Sequence, residues 1–255
     1  MSNNKFPPPD SFASNAHISS MDQYHEQYKK SIDDPEEFWA DKAERLDWSK
    51  KWSKVRSFDF VSGKISWFEN GMLNVSQNCL DRHVDGGHGD RPAIIWEGND
   101  PNEDQTFTYS ELLSEVKKFS NVLKNNGIEK GDRVCFYLQM VPQLAIAMLA
   151  CTRIGAVHSI VFGAFSADSL RDRINDSACK ILITQDTGVR GIKTDIPMKA
   201  NADKAVAQTP SIEMVLVVKR TGADVNFESG RDLWWHKEMD KADAECPPEP
   251  MDAED

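Results

Sequence analysis

The chain has 255 residues, of which 40% are hydrophobic and 28% charged, so one large or two modest globular domains are expected and disorder throughout is excluded. Thirty basic and 41 acidic residues give a net charge of −11, which argues against nucleic acid or an anionic membrane surface as the main partner. The five cysteines are widely spaced without a C-x-x-C pair, which indicates neither a disulfide framework nor a zinc site. Neither a signal peptide nor an apolar run of about 20 residues is recognisable, so we predict a cytoplasmic protein.

The N-terminal part is predicted to be a flexible arm followed by helices. Residues 1–19 are rich in Pro, Ser and Asn and show no periodicity, as is typical of a mobile segment. Helical patterns cover Met21–Ser31 and Pro35–Leu46, the second of which opens with Asp34 as N-cap and proline at the first helical position. Residues 20–90 are also rich in aromatic side chains, and we expect these to pack the region onto a larger body.

Residues 91–255 are predicted to form an α/β domain. Ala93–Trp96 and Thr106–Thr108 indicate a hairpin. Thr108 and Glu111 form a capping-box pattern that starts a helix ending at Asn126-Gly127. Further helices are predicted over Pro142–Ile154, over Ser166–Asp176 and around Ala202–Ala207.

Four apolar runs predict the strands of this domain: Arg133–Leu138, Val157–Phe162, Lys180–Thr184 and Glu213–Val218. Most are separated by helices, an alternation that indicates a parallel sheet with helices on both faces. Arg231–His236, with two tryptophans, is expected to be a packed surface helix or loop.

Two loops that follow predicted strands could carry chemistry, because the carboxyl ends of parallel strands gather free backbone N–H groups. Phe162, Gly163 and Ala164 form either an ordinary strand-to-helix turn or a close approach to a ligand. Arg190, Gly191, Ile192 and Lys193 combine a glycine with two cations, which suits a polyphosphate site. A solvated loop with both cations in water is equally compatible with this pattern.

No metal site and no catalytic residue are predicted in this chain. Cys79, His83 and His88 offer potential metal ligands, but no second Cys/His pair stands at zinc spacing. A nucleophile elbow, an H-E-x-x-H motif and paired carboxylates are likewise not recognisable.

Taken together, several segments resemble the acetyl-coenzyme A synthetases, a family of adenylate-forming ligases. The resemblance runs from about Met21 to Asp255. The segments that carry it are Ser31–Trp39, Trp67–Ser76, Asn78–His83, Met148–His158, Val161–Ser166 and Arg231–Trp235.

The resemblance implies activation of acetate with ATP and Mg to acetyl-AMP, release of pyrophosphate and transfer of the acetyl group to coenzyme A. It implies that residues 20–90 are the helical N-terminal region of this family and that residues 91–255 are an incomplete AMP-binding ligase domain. In this family the loop matching Arg190, Gly191, Ile192 and Lys193 contacts the nucleotide part of coenzyme A. The turn matching Phe162, Gly163 and Ala164 flanks the adenine, and many members carry glycine where Ala164 stands.

Members of this family continue for hundreds of residues beyond the point matching Asp255, and those residues hold the ATP phosphates, the metal and the acetate. We therefore expect the amino-terminal part of an acetate–CoA ligase, which supplies part of the coenzyme A site, lacks the adenylation site and is inactive alone. The remainder of the ligase chain is expected to dock on the open sheet. Two alternatives remain: a non-catalytic nucleotide-binding or regulatory module, and the start of a propionate-type short-chain acyl-CoA ligase.

Overall fold

The computed structural model describes residues 6–255, which divide into two compact units, one of residues 6–71 with 252–255 and one of residues 72–251. Part of the predicted flexible arm, residues 1–5, lies outside the described residues, and the arm contains a short helix, α1 (Asp10–Ala13). The predicted domain boundary between residues 90 and 91 falls inside the second unit and stays a prediction. Within residues 6–255 no helix combines the length and apolar character needed to cross a membrane.

Besides α1, the first unit contains two longer helices and a hairpin: α2 (Met21–Asp33), α3 (Pro35–Ala43), β1 (Lys54–Asp59) and β2 (Lys64–Glu69). Both predicted helices are confirmed, and the Asp34 side chain accepts the Glu37 N–H as the N-cap of α3. This helix ends three residues before the predicted Leu46. At its end the carbonyl of Ala43 accepts the Leu46 N–H at 3.0 Å and the Trp48 indole Nε1 at 2.9 Å, so this carbonyl at the end of the helix is satisfied by residues beyond it.

The second unit holds the remaining elements: β3 (Met72–Leu73), β4 (Pro92–Glu97), β5 (Asp104–Thr108), α4 (Tyr109–Asn125), β6 (Arg133–Leu138), α5 (Pro142–Ile154), β7 (Val157–Phe162), α6 (Ala167–Ser177), β8 (Ile181–Gln185), β9 (Gly188–Arg190), β10 (Lys193–Ile196), α7 (Met198–Val206), β11 (Met214–Val218), β12 (Asp232–Trp234) and α8 (Trp235–Met239), with β13 (Met251–Asp252) at its boundary. Two π-helical turns, Gln77–Asp81 and Val84–His88, precede β4. The β4–β5 hairpin is confirmed as antiparallel. The capping box of α4 is also confirmed, since Glu111 N–H donates to Thr108 Oγ1 at 3.2 Å and Thr108 N–H donates to Glu111 Oε2 at 2.8 Å.

The core of the second unit is a parallel five-stranded sheet of order β12-β11-β8-β6-β7. Side chains alternate between its two faces. In β6, Val134 and Phe136 belong to the cluster formed with α4, α5 and α8, whereas Cys135 and Tyr137 belong to the cluster formed with α6 and α7. Helices on both faces explain why residues of both orientations in these strands are largely apolar and confirm the predicted fold class.

Two sequence predictions around this sheet were wrong. Of the predicted surface helix or loop Arg231–His236, Asp232–Trp234 is instead a fifth strand paired with β11, whereas Trp235 and His236 do begin a helix, α8. The first residue of the strand, Asp232, is 2% exposed and is ion-paired with Lys199 at 2.7 Å and Arg231 at 2.6 Å. A buried charge at the start of a short strand concealed the apolar pattern on which the strand prediction depends.

The second correction concerns the segment after β8. We expected a loop there, but the segment forms the antiparallel hairpin β9–β10, hereafter the basic hairpin. Helix α7 then begins at Met198, four residues before the predicted Ala202. Pro197 precedes its first turn, where the missing N–H of proline causes no loss.

Candidate functional site

An open cleft of about 300 Å³ lies at the carboxyl ends of the sheet strands, where the sequence placed the candidate loops. Gln139 follows β6, Phe162–Ala164 end β7, and Arg190 comes from the basic hairpin after β8. The remaining lining residues come from these elements, the loop after β4 and the end of β11: Trp96, Glu97, Gly98, Asn99, Met140, Val141, Val189, Ile196 and Arg220. The cleft exists because parallel strands all end at one edge of the sheet.

Arg190 and Lys193 are directly opposite each other in the basic hairpin, on either side of the turn Gly191–Ile192. Side chains of directly opposed residues share one face of an antiparallel pair, with Cβ atoms about 5 Å apart. Gly191 has φ of +58°, a conformation that glycine adopts without strain. The turn therefore places both cations side by side, and Arg190 lines the cleft.

Arg190 and Lys193 differ from the nearby Arg220 in their ion pairing. Within residues 6–255 neither Arg190 nor Lys193 forms an ion pair, and both are exposed. Arg220, by contrast, is paired with Glu103 at 2.5 Å, and its guanidinium lies 5.3 Å from the centre of the Trp96 ring. Arg190, which lines the cleft, and Lys193, opposite it in the hairpin, are thus two cations whose charge a bound anion could neutralise.

Gln139 fixes the first strand of the basic hairpin. Its Oε1 accepts the Val189 N–H at 2.9 Å, and its Nε2 donates to the Val189 carbonyl at 3.2 Å. Gln185 at the end of β8 donates to Gln139 Oε1 at 3.2 Å and accepts the Gln139 N–H at 3.0 Å. A Cβ at Gly188 would lie 2.8 Å from the Gln139 amide, so a larger residue at 188 would displace this amide from the position that it holds against Val189.

Asn99, in the loop after β4, contacts the turn of the same hairpin. Its Nδ2 donates to the Gly191 carbonyl at 2.8 Å, and its Oδ1 accepts the Gly191 N–H at 2.7 Å. Neither Asn99 nor Gln139 is predicted from the sequence to have a role here. For Gln139 a signal was available, since it is the first polar residue after a buried strand. Asn99 lies 92 residues from its partner and carried no such signal.

Asp186, directly after β8, joins the ends of β8 and β11. Its buried carboxylate accepts the backbone N–H groups of Thr187, Arg220, Thr221 and Gly222 at 2.7 to 3.2 Å. This arrangement sets the path of the turn that carries Arg220. This role of Asp186 is not predicted from the sequence either.

The turn after β7 has both a structural and an exposed part. A Cβ at Gly163 would lie 3.0 Å from the Leu138 carbonyl, so this residue packs against the end of β6. Ser166 accepts the Ser169 N–H at 3.3 Å and caps α6. Phe162 is 64% exposed, and with Ala164 it lines the cleft, which leaves one side of the turn open to a ligand.

The Cys79, His83 and His88 segment lies away from this arrangement, in and between the two π-helical turns. The His83 ring lies 4.9 Å from that of Tyr109. In the described part of the chain no group of three or more His, Cys, Asp or Glu side chains is close enough to hold a metal ion.

Two family models match the chain. The model for AMP-binding enzymes matches residues 80–255, and the model for the acetyl-coenzyme A synthetase N-terminus matches residues 24–79. Together they cover residues 24–255, which include every residue of the cleft.

Curated relatives agree with these models. Proteins named acetyl-coenzyme A synthetase from Saccharophagus degradans, Rubrobacter xylanophilus and Magnetococcus marinus are 55%, 54% and 53% identical to the chain, over 98% of its length. The chain spans 38% of the length of each. Among solved structures, an acetoacetyl-CoA synthetase from Streptomyces lividans superposes with a TM-score of 0.80 over 95% of this chain and 36% of that one, at 24% identity, which supports the α/β fold.

Proposed function

Because the chain belongs to the AMP-binding enzyme family and carries the N-terminal region typical of acetyl-coenzyme A synthetases, we propose that it supplies part of the coenzyme A site of an acetate–CoA ligase. The nucleotide part of coenzyme A would bind in the cleft at the carboxyl edge of the sheet. Arg190 and Lys193 would hold phosphate oxygens, and the backbone of Gly191 and Ile192 would form the turn between them. Phe162, Gly163 and Ala164 would flank the adenine.

The observation that carries this proposal is the pairing of Arg190 with Lys193 across a two-residue turn. Two neighbouring cations, neither ion-paired within residues 6–255, repel each other until an anion lies between them. A guanidinium offers two parallel N–H donors to phosphate oxygens, and an ammonium adds a point charge. The exposed Phe162 ring and the small Ala164 beside this pair suit a flat apolar ring.

The activity that we propose for the whole ligase has two steps. Acetate attacks the α-phosphorus of ATP in the presence of Mg, which forms acetyl-AMP and releases pyrophosphate; the thiol of coenzyme A then displaces AMP to give acetyl-CoA. The residues described above bind and orient coenzyme A for the second step. We assign the first step to residues outside this chain, so residues 1–255 alone should show no acetate-dependent pyrophosphate exchange.

The test is the double variant Arg190→Ala/Lys193→Ala in the full-length ligase. We expect the KM for coenzyme A to rise roughly 10- to 100-fold, since each charge-assisted contact contributes about 1.5 to 3 kcal/mol when dry and less at an exposed rim. Acetate-dependent pyrophosphate exchange should persist, because that reaction does not use coenzyme A. Lys124→Ala/Lys204→Ala, which removes two exposed lysines elsewhere in the second unit, is the matched control for net charge.

If the KM for coenzyme A is unchanged in the double variant, the basic hairpin is a solvated surface turn and not a phosphate site. An equal loss of coenzyme A affinity in the lysine control would show that net charge alone is responsible. Detectable pyrophosphate exchange by residues 1–255 alone would contradict the assignment of the first step.

A further inference from the structure

We propose that Asn99 is a positioning residue for the phosphates of coenzyme A, because its side-chain amide fixes the turn that presents Arg190 and Lys193. The inference rests on the proposed function of the cleft. Asn99 lines the cleft, but its Nδ2 and Oδ1 are both bonded to Gly191, so we assign to it no hydrogen bond with the ligand and no part in the chemistry. Its role would be to hold two flexible cations in one arrangement before the ligand arrives.

The basic hairpin needs such support because it is short. Its strands have three and four residues, and their register shifts between Lys193 and Ile196. A two-stranded hairpin of this size is at best marginally stable in water. At its tip the Ile192 side chain is 100% exposed, so the packing of that side chain contributes nothing to the order of the turn.

Support reaches the hairpin at two points along its length. Gln139 holds Val189 at the base, through both backbone groups of that residue. Asn99 holds Gly191 at the turn, again through both the N–H and the carbonyl. Since Gly191 stands next to Arg190, an ordered Gly191 peptide restricts the path along which that guanidinium leaves the backbone.

The loop that carries Asn99 is itself fixed at both ends. Trp96 Nε1 donates to the Met140 carbonyl at 2.8 Å, and Glu103 receives two hydrogen bonds from the Arg220 guanidinium. Gly98 N–H also donates to the Glu103 carbonyl at 2.6 Å. Asn99 is therefore held on the β4–β5 hairpin, and the basic hairpin is held by Asn99.

The chemistry of an amide suits this position. Asn offers one donor and one acceptor to the two groups of a single residue, and it carries no charge. A carboxylate at residue 99 could accept the Gly191 N–H, but it could not donate to the Gly191 carbonyl. It would also place a negative charge next to the proposed phosphate site.

Ordering Arg190 and Lys193 in advance lowers the entropy lost when the ligand binds. Loss of the Asn99 contact should therefore weaken binding of phosphate-bearing ligands without changing steps that take place elsewhere. The two hydrogen bonds between Asn99 and Gly191 are exposed and affect binding through the order of the hairpin. We therefore expect their loss to lower the affinity roughly three- to tenfold.

The experiment uses the full-length ligase with Asn99→Ala, Asn99→Asp and the control Asn102→Ala. Asn102 lies in the same loop, and its side chain bonds within the loop, to Asp100 at 2.9 Å. Binding of coenzyme A and of adenosine 3′,5′-bisphosphate is measured by calorimetry at low and high salt. The KM for coenzyme A, the kcat and acetate-dependent pyrophosphate exchange are measured on the same samples.

We expect Asn99→Ala to weaken both ligands about three- to tenfold and to raise the KM for coenzyme A by the same factor. The kcat at saturating coenzyme A and the pyrophosphate exchange should stay at the wild-type level. Asn99→Asp should lose more affinity than Asn99→Ala at low salt, with the difference reduced at high salt because salt screens the added charge. Asn102→Ala should resemble the wild type.

Three results would count against the inference or its premise. Wild-type affinity in Asn99→Ala, together with a loss in Arg190→Ala/Lys193→Ala, would show that Asn99 does not position the cations. A parallel fall in melting temperature, pyrophosphate exchange and coenzyme A affinity would show that Asn99 acts on the fold as a whole. Failure of the wild-type ligase to bind either phosphate-bearing ligand would overturn the proposed function itself.

Discussion

The buried side chain of Asp186 holds together backbone groups from the ends of two strands. Four backbone N–H groups, from both sides of the β8–β11 pair, converge on one carboxylate. Such groups would otherwise lose their hydrogen bonds to water without replacement, which costs about 1 to 3 kcal/mol for each fully buried donor. The turn that carries Arg220 therefore depends on the negative charge at residue 186.

At the residue scale we expect Asp186→Ala to loosen that turn. The amides of Arg220, Thr221 and Gly222 should lose protection from hydrogen exchange by roughly 30-fold, equivalent to about 2 kcal/mol, since water can reach part of the turn and replace some of the lost bonds. Hydrogen exchange with mass spectrometry of a peptide covering residues 218–223 measures this. Asp224→Ala is the matched control, because Asp224 is exposed in the same loop. Unchanged protection in Asp186→Ala would contradict the assigned role.

Individual residues were the least predictable level of this structure. The residue types of the basic turn, Arg190 to Lys193, are by themselves compatible with an anion site. The side chains that hold this turn gave no comparable signal, because Asn99 and Gln139 contact backbone groups 92 and 50 residues away. A local pattern cannot report a partner that only folding brings near.

At the scale of elements, α7 and β12 are joined by a buried network of charges. Lys199 is ion-paired with both Asp232 and Asp203 at 2.7 Å, and Arg231 pairs with the same two carboxylates at 2.6 Å. Burial alone would raise the pKa of Asp232, but the hydrogen bonds from Arg231 and Lys199 outweigh it and lower the pKa below its ordinary value. The network thus stabilises the folded state while Asp232 is ionised.

The direction of that pKa shift predicts a dependence of stability on pH. Because the pKa of Asp232 is lower in the folded protein, the stabilisation is complete above the unfolded-state pKa of about 3.9 and is lost as the pH falls through the folded-state pKa. Asp232→Asn should lower the melting temperature by roughly 5 to 10 °C at pH 7. The difference from the wild type should shrink below about pH 4, as followed by thermal unfolding from pH 7 to pH 3. A difference that stays constant over this range would exclude Asp232 as the titrating group.

Elements were largely predictable, with instructive exceptions. The strands Arg133–Leu138 and Val157–Phe162 were predicted with their observed bounds, because a continuous apolar run between turn residues is a local signal. Strand β12 was missed because its first residue is a charged aspartate, and the basic hairpin because its strands are too short and polar to show alternation. In both cases neighbouring elements, and not the segment's own pattern, stabilise the strand.

At the scale of the whole molecule, β7 forms one edge of the sheet in the second unit. Among residues 6–255 no strand pairs with its outer side. Val157 is 53%, Ile160 46% and Phe162 64% exposed, an unusual amount of apolar surface on an edge strand. We propose that the remainder of the ligase chain docks on this edge.

Residues 1–255 alone should therefore self-associate through β7. Light scattering is expected to show concentration-dependent oligomers, and Val157→Lys/Ile160→Lys should reduce them, because lysine on an edge strand opposes pairing. Ile65→Lys/Ile95→Lys, at isoleucines that are 69% and 77% exposed in the separate β1–β2 and β4–β5 hairpins, is the matched control and should have a smaller effect. A monomeric wild-type sample with a sharp, cooperative melt would contradict this prediction.

The sequence alone determined the α/β class, the alternation of helices with buried parallel strands, and the presence of two cations and a glycine after the third predicted strand. These properties depend on residue type and on spacing over a few positions, because burial on both faces of a sheet requires continuous apolar runs. Only the tertiary structure decided that Asp232–Trp234 joins the sheet, that Arg190 and Lys193 stand side by side, and that Asn99, Gln139 and Asp186 hold the rim of the cleft. These arrangements arise from hydrogen bonds and ion pairs between residues far apart in the chain, whose partners are defined only once the strands have paired.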